Sequence, residues 1–412
     1  MTRLEKIKYR PVPVRDLLIE MKDLSELMID LAYSAALFNS QPLAEEVIEL
    51  EKRVDTLAYL LDMSAMVAAR DAEDAEALVG VSVVAAATDK ISDAAADIAT
   101  IVLRGIGLHP VVLKAFKKME ERLTRVEAKS NSVLVGKRLG ELELAAKMGV
   151  DVIAIRRDKE LIVNPKEGEM IKKGDIITAR GAPGGVEEFE KLAEGIVQTL
   201  ERWRRRWRGL KIMAIEESFK KIIDMLVELK DTSELMMDLA YSSILFDSKE
   251  LAQEVQMLEE RVDNLHTEFE LLVLTRCIQP EESKHFLGLI RLGVVTEKIA
   301  DAAAQIADVV LRGLEPHPVL KLAIKEAEET VTHVHVSEKS VLVGKSLQEA
   351  QIHEETGMWV LAVRRGDEWI RPKPDTVIRA GDMLIASGYT EGEEDLRKLA
   401  SNERHKYHES EP

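Results

Sequence analysis

Cysteine is all but missing: Cys277 stands alone in 412 residues. No disulfide can close within the chain and no thiolate cluster can hold a metal, which fits a reducing cytosol. Aromatic residues are scarce too, at 4%. Sheet-dominated folds draw on β-branched and aromatic side chains, so this shortage, beside abundant Ala, Leu, Met, Glu and Lys, favours helical bundles. Long apolar runs are also lacking. The longest near the predicted bundles, residues 78–88, falls far short of the roughly 18 to 20 residues that cross a bilayer, and no membrane span is expected. The opening MTRLEKIKYR has neither an apolar h-region nor a small-residue cleavage site, so export is not expected. Positive charge is in deficit, with 57 Lys and Arg against 74 Asp and Glu and a net charge of -17. Such a surface repels phosphates and gathers cations, which argues against nucleic acid as a partner. Catalytic signatures are absent as well: no GxGxxG in strand, turn and helix order, no phosphate loop, no HExxH pair and no nucleophile elbow. The expectation is a protein that is not an enzyme.

What the chain does have is a repeat. TDKISDAAADIATIVLRG at 88–105 returns as TEKIADAAAQIADVVLRG at 296–313. Glu26, Asp30, Asp55, Asp89, Asp93 and His109 are echoed at Glu234, Asp238, Asp263, Glu297, Asp301 and His317, each 208 residues on. Ser132, Gly136, Gly149 and Arg156 find Ser340, Gly344, Gly357 and Arg364 at the same spacing. The chain is a tandem duplication.

Each unit opens with a helical pattern in which Leu24, Leu27, Leu31 and Phe38 form a stripe. Asn39, Ser40 and Pro42 close it and start a second helix, with Ser40 as N-cap. A third carries the repeated motif and ends at Arg104 and a left-handed Gly105. Three such helices close a bundle core. After Lys129 the pattern alternates: SVLVG reads as a strand, followed by a short helix, a strand, a hairpin and a strand, punctuated by Gly149, Asn164, Gly174 and Gly181. The expected division is a bundle at 1–128, an α+β module at 129–199, a basic Trp/Arg linker helix at 200–217, a bundle at 218–336, a module at 337–400 and a polar tail at 401–412.

Carboxylates are hard oxygen ligands, and pairs four apart on a helix project from one patch. With 74 acids in 412 residues, chance alone supplies roughly 13 pairs at this spacing, so one pair decides nothing. Retention in both units while the connecting stretches diverge favours a metal site built from Glu26, Asp30, Asp89, Asp93 and Asp97, and from Glu234, Asp238, Glu297 and Asp301. The competing reading is a solvated acidic face. Glu51 with Asp55, repeated as Glu259 with Asp263, would flank the same patch, and Gln305 in place of Asp97 would weaken the second site. His109 and His317 precede prolines at helix starts, which suits capping better than ligation. His333 and His335 have no counterpart in the first unit. The pairs Arg156 with Arg157 and Arg364 with Arg365 are candidates for holding a phosphate or nucleotide, against solvated strand ends. Trp203 and Trp207, set among arginines at 201–211, suit either anionic lipid or pairing with the acidic bundles.

These residues resemble two known families. The repeated E/D-x-x-x-D on bundle helices, at Glu26 with Asp30, Asp89 with Asp93, Glu234 with Asp238 and Glu297 with Asp301, resembles the PhoU domain. SVLVGKRLGEL, GVDVIAIRR and GDIITARG, repeated as SVLVGKSLQEA, GMWVLAVRR and GDMLIASG, resemble the TrkA C-terminal domain, also called the RCK C-terminal domain. The fold this implies is multidomain and mainly α, with two PhoU-like antiparallel helical bundles alternating with two small α+β modules. The resemblance implies a cytosolic regulatory subunit of an ion transport system, for potassium or another cation, resting on a membrane transporter at the inner face of the membrane. A PhoU-type regulator of phosphate uptake and a carboxylate-bundle metal-storage protein are the alternatives. Iron, manganese, magnesium or calcium would sit on the bundle acids. No Rossmann domain precedes the modules, so NAD is not expected. The resemblance also implies pairing of the modules, as an intrachain pseudo-dimer or a homo-oligomer, and a small nucleotide such as cyclic di-AMP as a ligand.

Overall fold

The computed structural model describes residues 7–108, 122–142, 144, 148–158, 160–181, 183–194, 217–276, 283–313, 317–327, 329–366, 368–370 and 372–401. The expectations for His109, for Cys277, for the Trp203 and Trp207 stretch and for the tail beyond Ser401 lie outside the described residues.

The first unit begins with α1 (Val14–Phe38), α2 (Gln41–Ala68) and α3 (Ala72–Leu103), which pack pairwise into a bundle. On α1 the buried Leu17, Met21, Met28, Leu31 and Ala35 recur at helical spacing, and each large apolar side chain so buried contributes about 1.5–3 kcal/mol. The helix stops where Asn39 turns left-handed at φ 47°, a conformation that Asn tolerates because its side chain bonds locally. Pro42 occupies the first turn of α2 as expected. Ser40 stands at the N-cap position, but its side chain makes no cap bond; its counterpart Ser248 does accept from the Leu251 N–H at 3.3 Å. The helix α3 is capped by Asp71 and is followed by Gly105 at φ 59°.

The module of the first unit comprises β1 (Arg122–Glu127), α4 (Leu139–Leu142), β2 (Val150–Arg157), β3 (Glu160–Val163), β4 (Ile176–Gly181) and α5 (Pro183–Glu194). Its antiparallel sheet runs β1-β4-β2-β3. One face, with Val150, Ile155, Ile177 and Ala179, packs on Phe189 of α5. Two sequence expectations change here. The first strand is β1, so the sheet starts ahead of the expected boundary at 129. The SVLVG segment is a turn rather than a strand, because Ser132 Oγ accepts from the Leu134 N–H at 3.1 Å and Gly136 turns left-handed at φ 84°. Leu134 still reaches the core.

The second unit repeats the plan with α6 (Glu217–Phe246), α7 (Lys249–Arg276), α8 (Ser283–Leu311), α9 (Pro318–Glu326), β5 (Glu329–His335), α10 (Leu347–Ala350), α11 (Ile352–Thr356), β6 (Met358–Arg365), β7 (Glu368–Ile370), β8 (Met383–Tyr389) and α12 (Thr390–Ser401). Its sheet order is β5-β8-β6-β7. His317 caps α9, its Nδ1 accepting from the Val319 N–H at 3.1 Å. Because β5 belongs to this sheet, the second module likewise starts before 337.

The two bundles share one hydrophobic core across a seam between α3 and α8. Each sheet's other face joins that core, through Ile153 and Ala154 in one module and Leu361, Ala362 and Ile385 in the other. Among the described residues, no helix is long and apolar enough to cross a membrane.

Candidate functional site

Carboxylate oxygens of Glu51 and Asp55 on α2 and of Asp93 on α3 lie within 4.8 Å of one another. Glu259, Asp263 and Asp301 repeat this on α7 and α8. Helical periodicity places Asp89 one turn from Asp93, and Oδ1 of Asp89 is buried without a hydrogen-bond partner. Half-burial first, then Asp55, Asp93 and Asp62, push the Asp89 carboxyl up to about 6. Asp93 and Glu51 are raised by the same two causes, burial and neighbouring acids. So are Glu259, Glu297 and Asp301 in the second unit, with His266 easing the last two. Each patch therefore holds more like charge than its own helices relieve.

The structure brings Asp89 and Asp93 together with the Glu51 and Asp55 pair, and Glu297 and Asp301 with Glu259 and Asp263. It places the other predicted ligands elsewhere. Asp97 accepts from Lys298 Nζ at 2.8 Å across the seam, and its counterpart Gln305 accepts from Lys90 Nζ at 2.8 Å. Since Asp97 is outside the three-carboxylate cluster, the change to Gln305 removes no oxygen from the second one.

Glu26 and Asp30 lie on α1, away from this patch. Glu26 accepts from the buried Lys22 at 2.7 Å, and Lys22 stands 5.2 Å from the ring of Tyr241 in the opposite bundle. Glu234 pairs with Lys230, which stands 5.6 Å from the ring of Tyr33. Tyr33 shares a hydrogen bond with Thr296 at 3.2 Å, and Tyr241 one with Thr88 at 3.4 Å. Burial pushes both phenols up to about 12. Each contact has its equivalent 208 residues away, so the seam is a two-fold interface within one chain. Asp30 and Asp238 hold the modules: Asp30 binds Arg180 of β4, while Asp238 accepts from the hydroxyl of Ser387 at 2.8 Å.

The arginine pairs behave unequally. Arg157 forks onto the buried Asp175 at 2.9 and 2.8 Å and reaches Glu169 at 2.9 Å; Arg365 forks onto the buried Asp382 at 2.8 Å. These guanidiniums clamp strand to turn inside each module, which takes up the donors a ligand would use. Arg156 lies near Arg125, whose guanidinium is lowered by burial and then by Arg156. Arg364 donates to the carbonyl of Gly366 at 3.2 Å.

Between α1, α6 and the two modules lies a cleft of about 940 Å³. Asp151, Asp224, Asp231 and Asp395 line it, with Arg180 and Lys373 as its strongly basic groups. His353 and Trp359 stack along its wall with centroids 3.7 Å apart. A Cβ at Gly149 of the first module would stand 3.6 Å from the His353 carbonyl and 3.7 Å from its Nε2, so the modules meet here.

The PhoU domain family matches residues 18–102 and 226–310, and the TrkA-C domain family matches 123–194 and 331–401. The chain carries domains of both families in alternating tandem order. Its fold is two PhoU helical bundles alternating with two TrkA-C modules. Ktr system potassium uptake protein C of Bacillus subtilis is 37% identical over 76 residues, 18% of this chain and 34% of that one. Potassium channel protein 1 of Methanocaldococcus jannaschii is 38% identical over 72 residues, 17% and 22% of the two chains. The chain thus spans about a third or less of these curated relatives. PhoU from Pseudomonas aeruginosa aligns over 73% of this chain and 96% of its own, at 15% identity and a TM-score of 0.38, too slight a likeness to carry argument.

Within the PhoU domains, sequence reasoning ranked Glu51, Asp55, Glu259 and Asp263 as flanking when they share the patch. A signal was present. Lys22 and Lys230 stand four residues before Glu26 and Glu234, which marks those acids as already neutralised. No base stands four residues from Asp55 or from Asp89 in either direction.

Proposed function

We propose that this protein is a non-enzymatic regulatory subunit of a membrane ion transport system, with potassium or another cation as the transported ion. The observation that carries the reading is the alternation of PhoU and TrkA-C domains, in a chain part of which is similar to proteins named for potassium uptake and potassium channels. The protein works at the inner face of the membrane, against its transporter. A second reading, regulation of phosphate uptake, is favoured by the two PhoU domains themselves.

The carboxylate patches suit a hard divalent cation such as manganese, magnesium or calcium, or iron: all donors are oxygen, they come from two helices, and Asp89 presents a buried oxygen with no partner. Glu51, Asp55, Asp89 and Asp93, and Glu259, Asp263, Glu297 and Asp301, would hold it. A bound cation supplies positive charge that relieves the crowding of these acids. The helices α2 and α3 then approach without repulsion, and since α3 also forms the seam, the packing of the bundles and the cleft above it shift between two states. A small ligand in the cleft, cyclic di-AMP or another, would bias the same equilibrium from the module side.

Uptake of rubidium and of radiolabelled phosphate would be compared in cells lacking the gene, complemented with wild type or with D89N/D93N/D301N. Altered rubidium uptake, rescued by wild type and not by the variant, is the expected outcome; altered phosphate uptake alone would transfer the assignment to the second reading. Metal content of the two purified proteins by mass spectrometry would be read alongside. Metal-free wild type after reconstitution would remove the cation from the mechanism.

A further inference from the structure

The cleft between α1, α6 and the two modules is charged in one direction. Nine carboxylates line it, against Arg180 and Lys373 as the strongly basic groups. Lys22 and Lys230 bond to Glu26 and Glu234 of the lining, and Arg261 and Lys398 pair with Glu228 and Asp395, yet the acids outnumber all these bases together. Arg180 is itself held by Asp30 and stands 3.8 Å from Asp151. A ligand carrying phosphates therefore meets a field of its own sign, and the lining guanidinium is already engaged; a cation is drawn in. The acids are too scattered to share one metal ion. Asp224 and Asp231 stand about 10 Å apart along α6, while Asp151 and Asp395 belong to different modules. A volume of about 940 Å³ suits an organic ligand instead.

Two further features define the shape of that ligand. On the lining face of α6, Val227 and Leu235 alternate with Asp224 and Asp231, so anionic and apolar groups succeed one another a helical turn apart. Asp151 and Trp359, equivalents under the 208-residue repeat, line the cleft from the first and the second module, and Trp359 is backed by the His353 ring with centroids 3.7 Å apart. A carboxylate from one module and an indole from the other both attract an ammonium group. We propose that the cleft binds a linear aliphatic polyamine, its ammonium groups at Asp224, Asp231 and Asp151 and its methylenes over Val227, Leu235 and Trp359. The inference rests on the reading of the cleft as a small-ligand site and names the charge and form of the ligand. Because α6 and both modules supply the lining, the bound polyamine draws the two modules toward each other and onto the bundles.

The test titrates the full chain with spermidine by isothermal calorimetry, beside cyclic di-AMP and Mg²⁺. Spermidine is expected to bind, roughly tenfold more weakly in D224N/D231N and within about threefold of wild type in D224E/D231E, which keeps both charges. Trp359→Leu weakens it roughly threefold and Trp359→Phe restores it, since the phenyl ring still faces the cation. Thermal melts without ligand verify that each variant is folded. Equal spermidine affinity in wild type and D224N/D231N, or displacement of spermidine by Mg²⁺ at matched charge, would overturn the polyamine. Binding of cyclic di-AMP and not of spermidine would keep the cleft as a ligand site and overturn the cation. Spermidine binding seen only after Arg204, Arg205 and Arg206 are changed to Gln would assign the cleft to the chain's own basic stretch and overturn the proposal. Binding of neither ligand would remove the reading of the cleft as a small-ligand site, and the polyamine with it.

Discussion

His353 is the buried titratable group whose behaviour can be worked through most fully. It lies on α11, stacked on Trp359 of β6, with both ring nitrogens buried and without hydrogen-bond partners. Burial alone holds its pKa down, from 6.5 to about 4. In the unfolded chain the ring takes up a proton near pH 6.5; in the folded chain it stays neutral until about pH 4. Stability is therefore undiminished above pH 6.5, falls as the pH drops through the window between the two values, and stops falling below the lower one. At pH 5 the difference amounts to about 2 kcal/mol. That is a large share of the stability of a small module. Because the ring also meets Gly149 of the first module, the loss appears at the junction between modules.

The perturbation is His353→Phe, which keeps an aromatic ring against Trp359 and removes both nitrogens. Denaturant unfolding followed by tryptophan fluorescence, near pH 7.5 and near pH 5, gives four stabilities. Carboxylates titrate in wild type and variant alike, so the difference of differences isolates the histidine. Wild type is expected to lose about 2 kcal/mol more than the variant on acidification. At the higher pH the variant should be more stable by about 1 kcal/mol, since two unpartnered buried polar atoms are gone. An identical acid response in both proteins would refute the reasoning, because a solvated or hydrogen-bonded ring would then have to replace the buried one.

Arg180→Ala leaves Asp30 without its guanidinium and should destabilise the first module's seat by about 3 kcal/mol, whereas Ser387→Ala, at the equivalent place in the second unit, should cost about 1 kcal/mol; both are read by thermal melts and by protease nicking between bundle and module. Gly185→Ala would set a Cβ 1.8 Å from the Met148 carbonyl oxygen, while at Gly184 a Cβ meets nothing within 4 Å. The first should lower stability by about 2–4 kcal/mol and the second by less than about 1 kcal/mol. Asp89, whose carboxyl is raised to about 6, costs stability increasingly as the pH climbs from its unfolded value of 3.8 through 6. In chelator near pH 7.5, Asp89→Asn should gain about 1 kcal/mol after allowance for solvent screening, and the gain should vanish near pH 3.5. Equal melting of the two proteins at both pH values would count against a crowded patch.

The long elements were legible because the helical period runs for 25 to 32 residues in α1 and α3, enough for an apolar stripe to outweigh chance. The duplication fixed their number, and left-handed Gly105 and Gly313 mark the ends that the sequence suggested. What failed was local or tertiary. SVLVG has the composition of a strand, yet the Ser132 hydroxyl and Gly136 make a tighter turn than β propensity can resist, and the same holds at Ser340 and Gly344. Among acids spaced four apart, the sequence alone does not say which helix faces meet. Glu26 with Asp30 and Asp89 with Asp93 look alike in sequence; the first pair faces the seam and a module, the second faces Glu51 and Asp55.

Comparison of the two units shows where the symmetry of this molecule holds and where it breaks. The seam contacts of Lys22, Tyr33 and Thr88 with their equivalents are two-fold, and so are the two carboxylate patches. The clamps of Arg157 on Asp175 and Arg365 on Asp382 are two-fold as well. Symmetry breaks where the modules meet the bundles and each other. Arg180 becomes Ser387, so an ion pair to Asp30 becomes a hydroxyl bond to Asp238. The stacked His353 and Trp359 stand where the first unit has Ala145 and Asp151. A symmetric core with unequal module seats means that a change at the seam reaches both modules equally but meets different resistance. The second module, held by a hydroxyl-to-carboxylate bond where the first has an ion pair, and by a histidine that loses its footing in acid, is the one that yields first.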